Sequence, residues 1–276
     1  MATYTQIFRP AASTVRAATR LLLASLMTIL LAFTPQRAVG QNAADLVAQG
    51  DRESAARQAA AALGRYEQAL QQDPRAATIL WRAAREAVDL GEFEANERVR
   101  TALYTKAADY ARRAVAAAPS DPDAHFHLSR ALGRTALALG PRDRVKYGIE
   151  VRASALRALE LQPRHAGALH VMGVWHAEVM RLNGLARTVA RAFLGGQVFG
   201  TASWQEATRA LEGAVAIEPN RIVHRLDLAR IYRDTKRSAE AQATYQAALG
   251  LALIDANDAT YRQQVDRELR ELRGAR

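Results

Sequence analysis

The chain has no cysteine in its 276 residues. That excludes disulfides, thiol nucleophiles, cysteine-bound metals and the lipid-attachment cysteine of a lipoprotein. Aromatic residues are few, at 6%, and no long run alternates β-branched and aromatic residues with period two, so strands are not expected. Lysine is nearly missing: only Lys106, Lys146 and Lys236 occur. Arginine therefore carries almost all the positive side of a net charge of +10. The basic residues are scattered among 28 acids, with no zinc-finger spacing, RNA-recognition signature or basic tail, which argues against a nucleic-acid partner.

Catalytic chemistry is also missing from the sequence. His125 and His127 sit two apart, His170 and His176 six apart, and no His-Glu-x-x-His occurs, so no metal is expected. Gly195, Gly196 and Gly200 do not make a dinucleotide fingerprint and lack a phosphate lysine. No serine lies in a Gly-x-Ser-x-Gly elbow. The reading is a non-enzyme with no cofactor.

What is present is alanine, the best helix former, in runs such as Ala59-Ala60-Ala61-Ala62 and Ala116-Ala117-Ala118. The fold class is all-α. Residues 1–40 hold Arg9, Arg16, Arg20 and Arg37 but no acid, followed by an apolar run from Leu21 to Phe33, then Pro35 and Ala38-Val39-Gly40. A charged start, a short apolar run and a small-residue exit read as a secretory signal. The expectation is export, cleavage near Gly40 and a periplasmic location. The alternatives are an anchor over residues 17–34 or a mitochondrial presequence.

Beyond residue 40 the chain keeps time with proline. Four segments end alike: Ala69 to Pro74, Ala114 to Pro119, Ala158 to Pro163 and Ala214 to Pro219, each with alanine five residues before the proline. Proline moves its predecessor out of the helical region and cannot continue a helix. Each proline therefore marks a helix end.

Residues 43–76 have the 34-residue length of a tetratricopeptide repeat, with Gly50, Ala62, Tyr66, Ala69 and Pro74 at its signature positions. Residues 222–255 match it too, through Leu228, Ala229, Tyr232, Ala241, Tyr245 and Ala248. Three longer units fill the middle, 77–121, 122–165 and 166–221, and a capping helix over 258–272 turns Val265, Leu269 and Leu272 inward. The expected architecture of residues 41–276 is a right-handed superhelical solenoid of tetratricopeptide-like hairpins. In the second unit the series Val99, Leu103, Ala107, Tyr110 and Ala114 predicts a second helix extended backwards. Ser203-Trp204-Gln205-Glu206 is a capping box.

The order of irregular units resembles the regulator of microtubule dynamics family, from about Leu80 to Leu253. The motifs are Leu80-Trp81-Arg82-Ala83-Ala84-Arg85, Ala124-His125-Phe126 with Leu132-Gly133, Gly173-Val174-Trp175, and Ala202-Ser203-Trp204-Gln205-Glu206-Ala207 with Glu218-Pro219-Asn220. The resemblance implies a tetratricopeptide fold and, in animal members, action on microtubules.

In such repeats the first helix of each unit lines the concave groove. Its ninth position reads Asp51, Arg85, Arg130, Val174 and Arg230 through the units, and its fifth Val47, Trp81, Phe126, His170 and Leu226. An apolar row beside an arginine row suits an extended peptide with acidic groups. The candidate peptide-binding residues are Trp81, Arg85, Phe126, Arg130, His170, Leu226, Arg230 and Arg233. The leading function is a protein- or peptide-binding scaffold of the cell envelope. The second is a membrane-associated factor docking through the basic amphipathic segment 181–194, with Arg181, Leu185, Arg187, Arg191 and Phe193 as contacts.

Overall fold

The computed structural model describes residues 42–137, 141–182 and 196–274, with the backbone alone for 141–145. Among the described residues there are eleven α-helices and no strand. They are α1 Ala43–Ala55, α2 Ala59–Gln72, α3 Ala77–Gly91, α4 Glu97–Ala117, α5 Pro122–Leu137 and α6 Pro141–Leu161. Then come α7 Ala166–Arg181, a 3₁₀ turn Gly196–Thr201, α8 Trp204–Ile217, α9 Ile222–Asp234, α10 Ser238–Leu249 and α11 Asp258–Gly274.

The proline rhythm has a physical basis in every case. Helices α2, α4, α6 and α8 each end two residues before Pro74, Pro119, Pro163 and Pro219. The residue between swings out of the helical region, with ψ between 75 and 86 at Asp73, Ala118 and Glu218. Its N–H still reaches back to the carbonyl of the recurrent alanine: Asp73 to Ala69, Ala118 to Ala114, Gln162 to Ala158 and Glu218 to Ala214. All four alanines are fully buried. A larger side chain there would hold neighbouring helices apart.

Caps fix the helix starts. Asn42 accepts from the Asp45 N–H, Asn96 from those of Arg98 and Val99, and Ser203 from that of Glu206. Each satisfies a donor that a helix N-terminus leaves unpaired. Helix α4 is indeed extended backwards to Glu97, but its inward face is Tyr104, Ala107, Ala108, Ala111 and Ala114. Val99, expected inward, stands exposed because α4 overhangs α3 at that end.

Helices pack first against their sequence neighbours, α1 on α2, α3 on α4, α5 on α6, α7 on α8 and α9 on α10. Glycines allow the close approach. A Cβ on Gly50 would lie 2.7 Å from the Tyr66 ring, and one on Gly91 2.6 Å from the Tyr104 ring. The buried side chains form two clusters. One runs from Leu46 to Phe199, and the other joins α8 to α11 with Ala177. Helix α7 belongs to both: Met172, Trp175 and Val179 face the first, and Ala177 the second.

The series of hairpins closes on itself. The turn between α10 and α11 reaches back to the second hairpin, where Asn257 Nδ2 donates to the Asp89 carbonyl at 2.9 Å. Arg57 donates to the Leu253 carbonyl at 3.3 Å. The Phe93 and Tyr261 rings meet edge-to-face, 5.4 Å between centroids. The concave side is therefore a deep, half-open chamber, and α11 flanks it with Val265 and Leu269 buried and Leu272 partly so.

Candidate functional site

The chamber has a volume of about 1690 Å3. All five ninth-position residues line it: Asp51, Arg85, Arg130, Val174 and Arg230. A spacing that places each on the inner side of its helix, repeated through the stack, puts them on one wall.

The arginines of that wall are already engaged. Arg85 contacts the Glu86 carboxylate at 2.7 Å and donates to Ser54 Oγ at 2.9 Å. Arg130 of α5 reaches Asp89 of α3 at 2.5 Å, with Glu92 at 3.9 Å. Glu92 is shared with Arg134. Arg230 reaches Glu268 of α11 at 2.6 Å, Asp227 at 2.9 Å and Gln264 at 3.0 Å. Arg233, also on the lining, lies 3.4 Å from the same Glu268. The Arg85–Ser54 and Arg130–Asp89 contacts stitch one hairpin to the next, and Arg230–Glu268 ties the fifth to the cap helix. Burial raises the Glu86 carboxyl above its ordinary value, against the pull of Arg85.

Fifth-position residues divide. Trp81, Phe126 and His170 line the chamber, and Arg82 sits over the Trp81 ring, 4.5 Å from its centroid. Leu226, expected beside them, does not reach it. It is wholly buried in the second cluster, because α9 turns that position toward its neighbours.

Sequence reading missed a row of stacked rings. Trp81 lies parallel to His127 at 5.1 Å, and Phe126 touches both His127, at 4.6 Å, and His165, at 4.8 Å. His127 is 6% exposed, and its Nδ1 has no hydrogen-bond partner. Burial, then the nearby Arg130 and Arg85, hold its pKa well below the ordinary value, so it is neutral. Phe93, Trp175, Phe199 and Tyr261 complete the aromatic lining. Tyr261 stands four residues before Val265 on the cap helix, a spacing that marks it as inward-facing.

Of the residues named for membrane contact, Arg181 ends α7 and pairs with Asp234 at 2.6 Å and Glu178 at 2.5 Å. Leu185, Arg187, Arg191 and Phe193 lie outside the described residues. No described helix is long and apolar enough to cross a membrane, and no three described His, Asp or Glu side chains are grouped to hold a metal.

Comparison with known proteins names the lineage. Residues 41–273 match the family model "Regulator of microtubule dynamics protein 1-3". Regulator of microtubule dynamics protein 1 of Mus musculus is 25% identical over 51% of this chain and 46% of its own length. Protein 3 of Mus musculus is 22% identical over 68% of this chain and 40% of its own length. The chain thus spans less than half of these relatives. A thermophilic TPR protein of Thermus thermophilus superposes with a TM-score of 0.58 at 24% identity, covering 82% of this chain and 98% of that one. That likeness concerns the fold.

These matches overturn the expected export. The relatives come from mouse, cattle, rat and orangutan, whose cells have no periplasm. Cleavage near Gly40 and a place in a bacterial envelope are not supported, because a charged start and a short apolar run are generic compositional signals. Residues 1–41 lie outside the described residues. By the match over nearly all of its helical part, this chain belongs to the regulator of microtubule dynamics protein 1-3 family.

Proposed function

We propose that the chain is a non-enzymatic scaffold that takes a segment of a partner protein into the chamber. The observation that carries this reading is the chamber itself: a deep, half-open concave surface of about 1690 Å3 carrying six aromatic side chains among its described lining. Ligand sites are concave and mostly apolar, with a few polar groups that fix orientation. Closure changes the kind of segment expected. A chain end, a bent loop or a few projecting side chains suit it better than a long extended strand.

Charge supports a partner that is apolar rather than strongly acidic. Among the described lining residues ten carboxylates accompany seven guanidiniums, although the chain as a whole is basic. An acidic partner would have to displace Glu86, Asp89 or Glu268 from the arginine it already holds.

The test is a photo-crosslinking amino acid at Val174, on the chamber wall, against one at Arg112 on the outer surface of α4. Partner peptides recovered at Val174 and not at Arg112 support the reading. Recovery only at Arg112 sinks it. A second reading rests on the family: the relatives are named for regulating microtubule dynamics. It is tested by pelleting the chain with polymerised tubulin.

A further inference from the structure

A chain of four titratable groups crosses the chamber wall between the fourth and fifth hairpins. His170 on α7 and His224 on α9 bring their Nδ1 atoms to 3.0 Å. On the outer side of each ring a carboxylate waits: Asp227 lies 3.3 Å from His170 Nε2, and Glu218 lies 3.2 Å from His224 Nε2. All four residues line the chamber. His224 is 3% exposed and the His170 side chain 14%.

Proton counting decides the state of this chain. There are three contacts, and each needs one hydrogen between two lone-pair atoms. An ionised carboxylate brings none, so all three must come from the four ring nitrogens. Two neutral imidazoles carry two, which leaves one contact without a proton. Two cations carry four, which sets N–H against N–H at 3.0 Å. Three protons fit, with both Nε2 atoms donating to their carboxylates and one Nδ1–H donating to the other Nδ1.

We propose that His170 and His224 share a single proton that clasps α7 to α9, and that a second proton drives the helices apart and loosens the chamber wall. Arg181 to Asp234 is a further polar tie between these helices, at their far ends, and Ala177 and Leu169 of α7 share a buried cluster with Leu226 and Ala229 of α9.

The charges facing the pair favour this state. From α9 come Asp227 and Arg230, from the segment before it Glu218 and Arg221, from α5 Arg134, and from the start of α7 His165. Burial alone would raise the Asp227 carboxyl, yet the hydrogen bond from His170 and the nearby Arg230 and Arg134 keep it well below its ordinary range. The hydrogen bond from His224 likewise lowers Glu218. Both stay ionised. Burial, followed by the charges of His170 and Arg221, pushes His224 down to about 4 despite Glu218, so the second proton is resisted until the medium is acid.

The sign follows. With the clasp open, the His224 imidazole returns to the ordinary value of about 6.5. Closed, His224 takes a proton only near 4. Between those values the open form binds one more proton, so the closed form loses about tenfold in relative population per pH unit.

The experiment uses the full chain labelled with 15N at histidine. At pH 7 the two rings should show three N–H groups and one bare Nδ1. Amide hydrogen exchange, corrected for intrinsic rates, should then reveal protection in α7 and α9 that falls about tenfold per unit from pH 6.5 toward 4. In His224→Asn, whose Oδ1 accepts from His170 without titrating, this dependence should vanish. The same pH slope in the variant overturns the proposal. If the variant does not fold, two N–H groups rather than three in the wild type at pH 7 overturn it alone. So does uptake of one equivalent of Zn2+ that displaces the shared proton, since the pair would then be a metal site.

Discussion

Arg130 on α5 lies 2.5 Å from the Asp89 carboxylate on α3, and Asp89 lends its backbone carbonyl to Asn257 at 2.9 Å. One residue of the second hairpin thus ties both the third hairpin and the turn that closes the chamber. Residues expected to greet a ligand are built into the frame.

That placement changes what removing them does. Both side chains of the pair are largely buried, at 21% and 17% exposure. Breaking a buried pair strands the other charge, at a cost of about 3–5 kcal/mol. Arg130→Ala should therefore melt on the order of 10 °C early in a thermal scan. Arg130→Met with Asp89→Asn should recover much of that. An unchanged melting temperature for Arg130→Ala would return this residue to the list of free ligand contacts.

His127 sets a second expectation. Its folded pKa is depressed by burial, so the folded state binds fewer protons than the unfolded one. Stability is fully present above about 6.5 and falls as pH drops toward the folded value. His127→Phe keeps the ring stack and cannot be charged. Its melting temperature should fall less than that of the wild type between pH 7 and pH 5. Parallel curves would count against this reading.

Gly167 leaves room for the chamber wall. A Cβ there would meet Phe126 Cζ at 2.5 Å. Gly167→Ala gains about 1 kcal/mol of helix propensity but overpacks a ring held by His127 and His165, at about 1–3 kcal/mol. The expected balance is a modest loss of stability by denaturant titration, reversed when Phe126→Leu is added. Equal losses with and without the second change would refute the steric cause.

The closing turn is a weak latch. Asn257→Ala removes one hydrogen bond to the Asp89 carbonyl, at about 1 kcal/mol. Combined with Phe93→Ala, it should speed amide exchange over residues 250–257 and enlarge the radius of gyration in X-ray scattering, while helix content holds. No change in either measure would mean that α11 alone holds the two ends of the hairpin series together.

What could be read in the sequence alone was local. Pro74, Pro119, Pro163 and Pro219 announce helix ends because proline acts on its own residue and the one before it. Ser203 and Glu206 announce a helix start for the same reason. The ninth-position row was legible because helical periodicity, repeated through similar units, lands on one wall. Three things were decided only by tertiary structure: ring closure, the partners of the arginines, and the pairing of His170 with His224. Closure depends on curvature accumulated over all the hairpins and is sealed by residues 168 positions apart. Charge pairing depends on which carboxylate a neighbouring hairpin presents, so Arg130 finds Asp89 41 positions away and Arg230 finds Glu268 38 away. Leu226 and Val99 failed the periodic reading because stacking, not the period of one helix, determines which side has a neighbour to cover it.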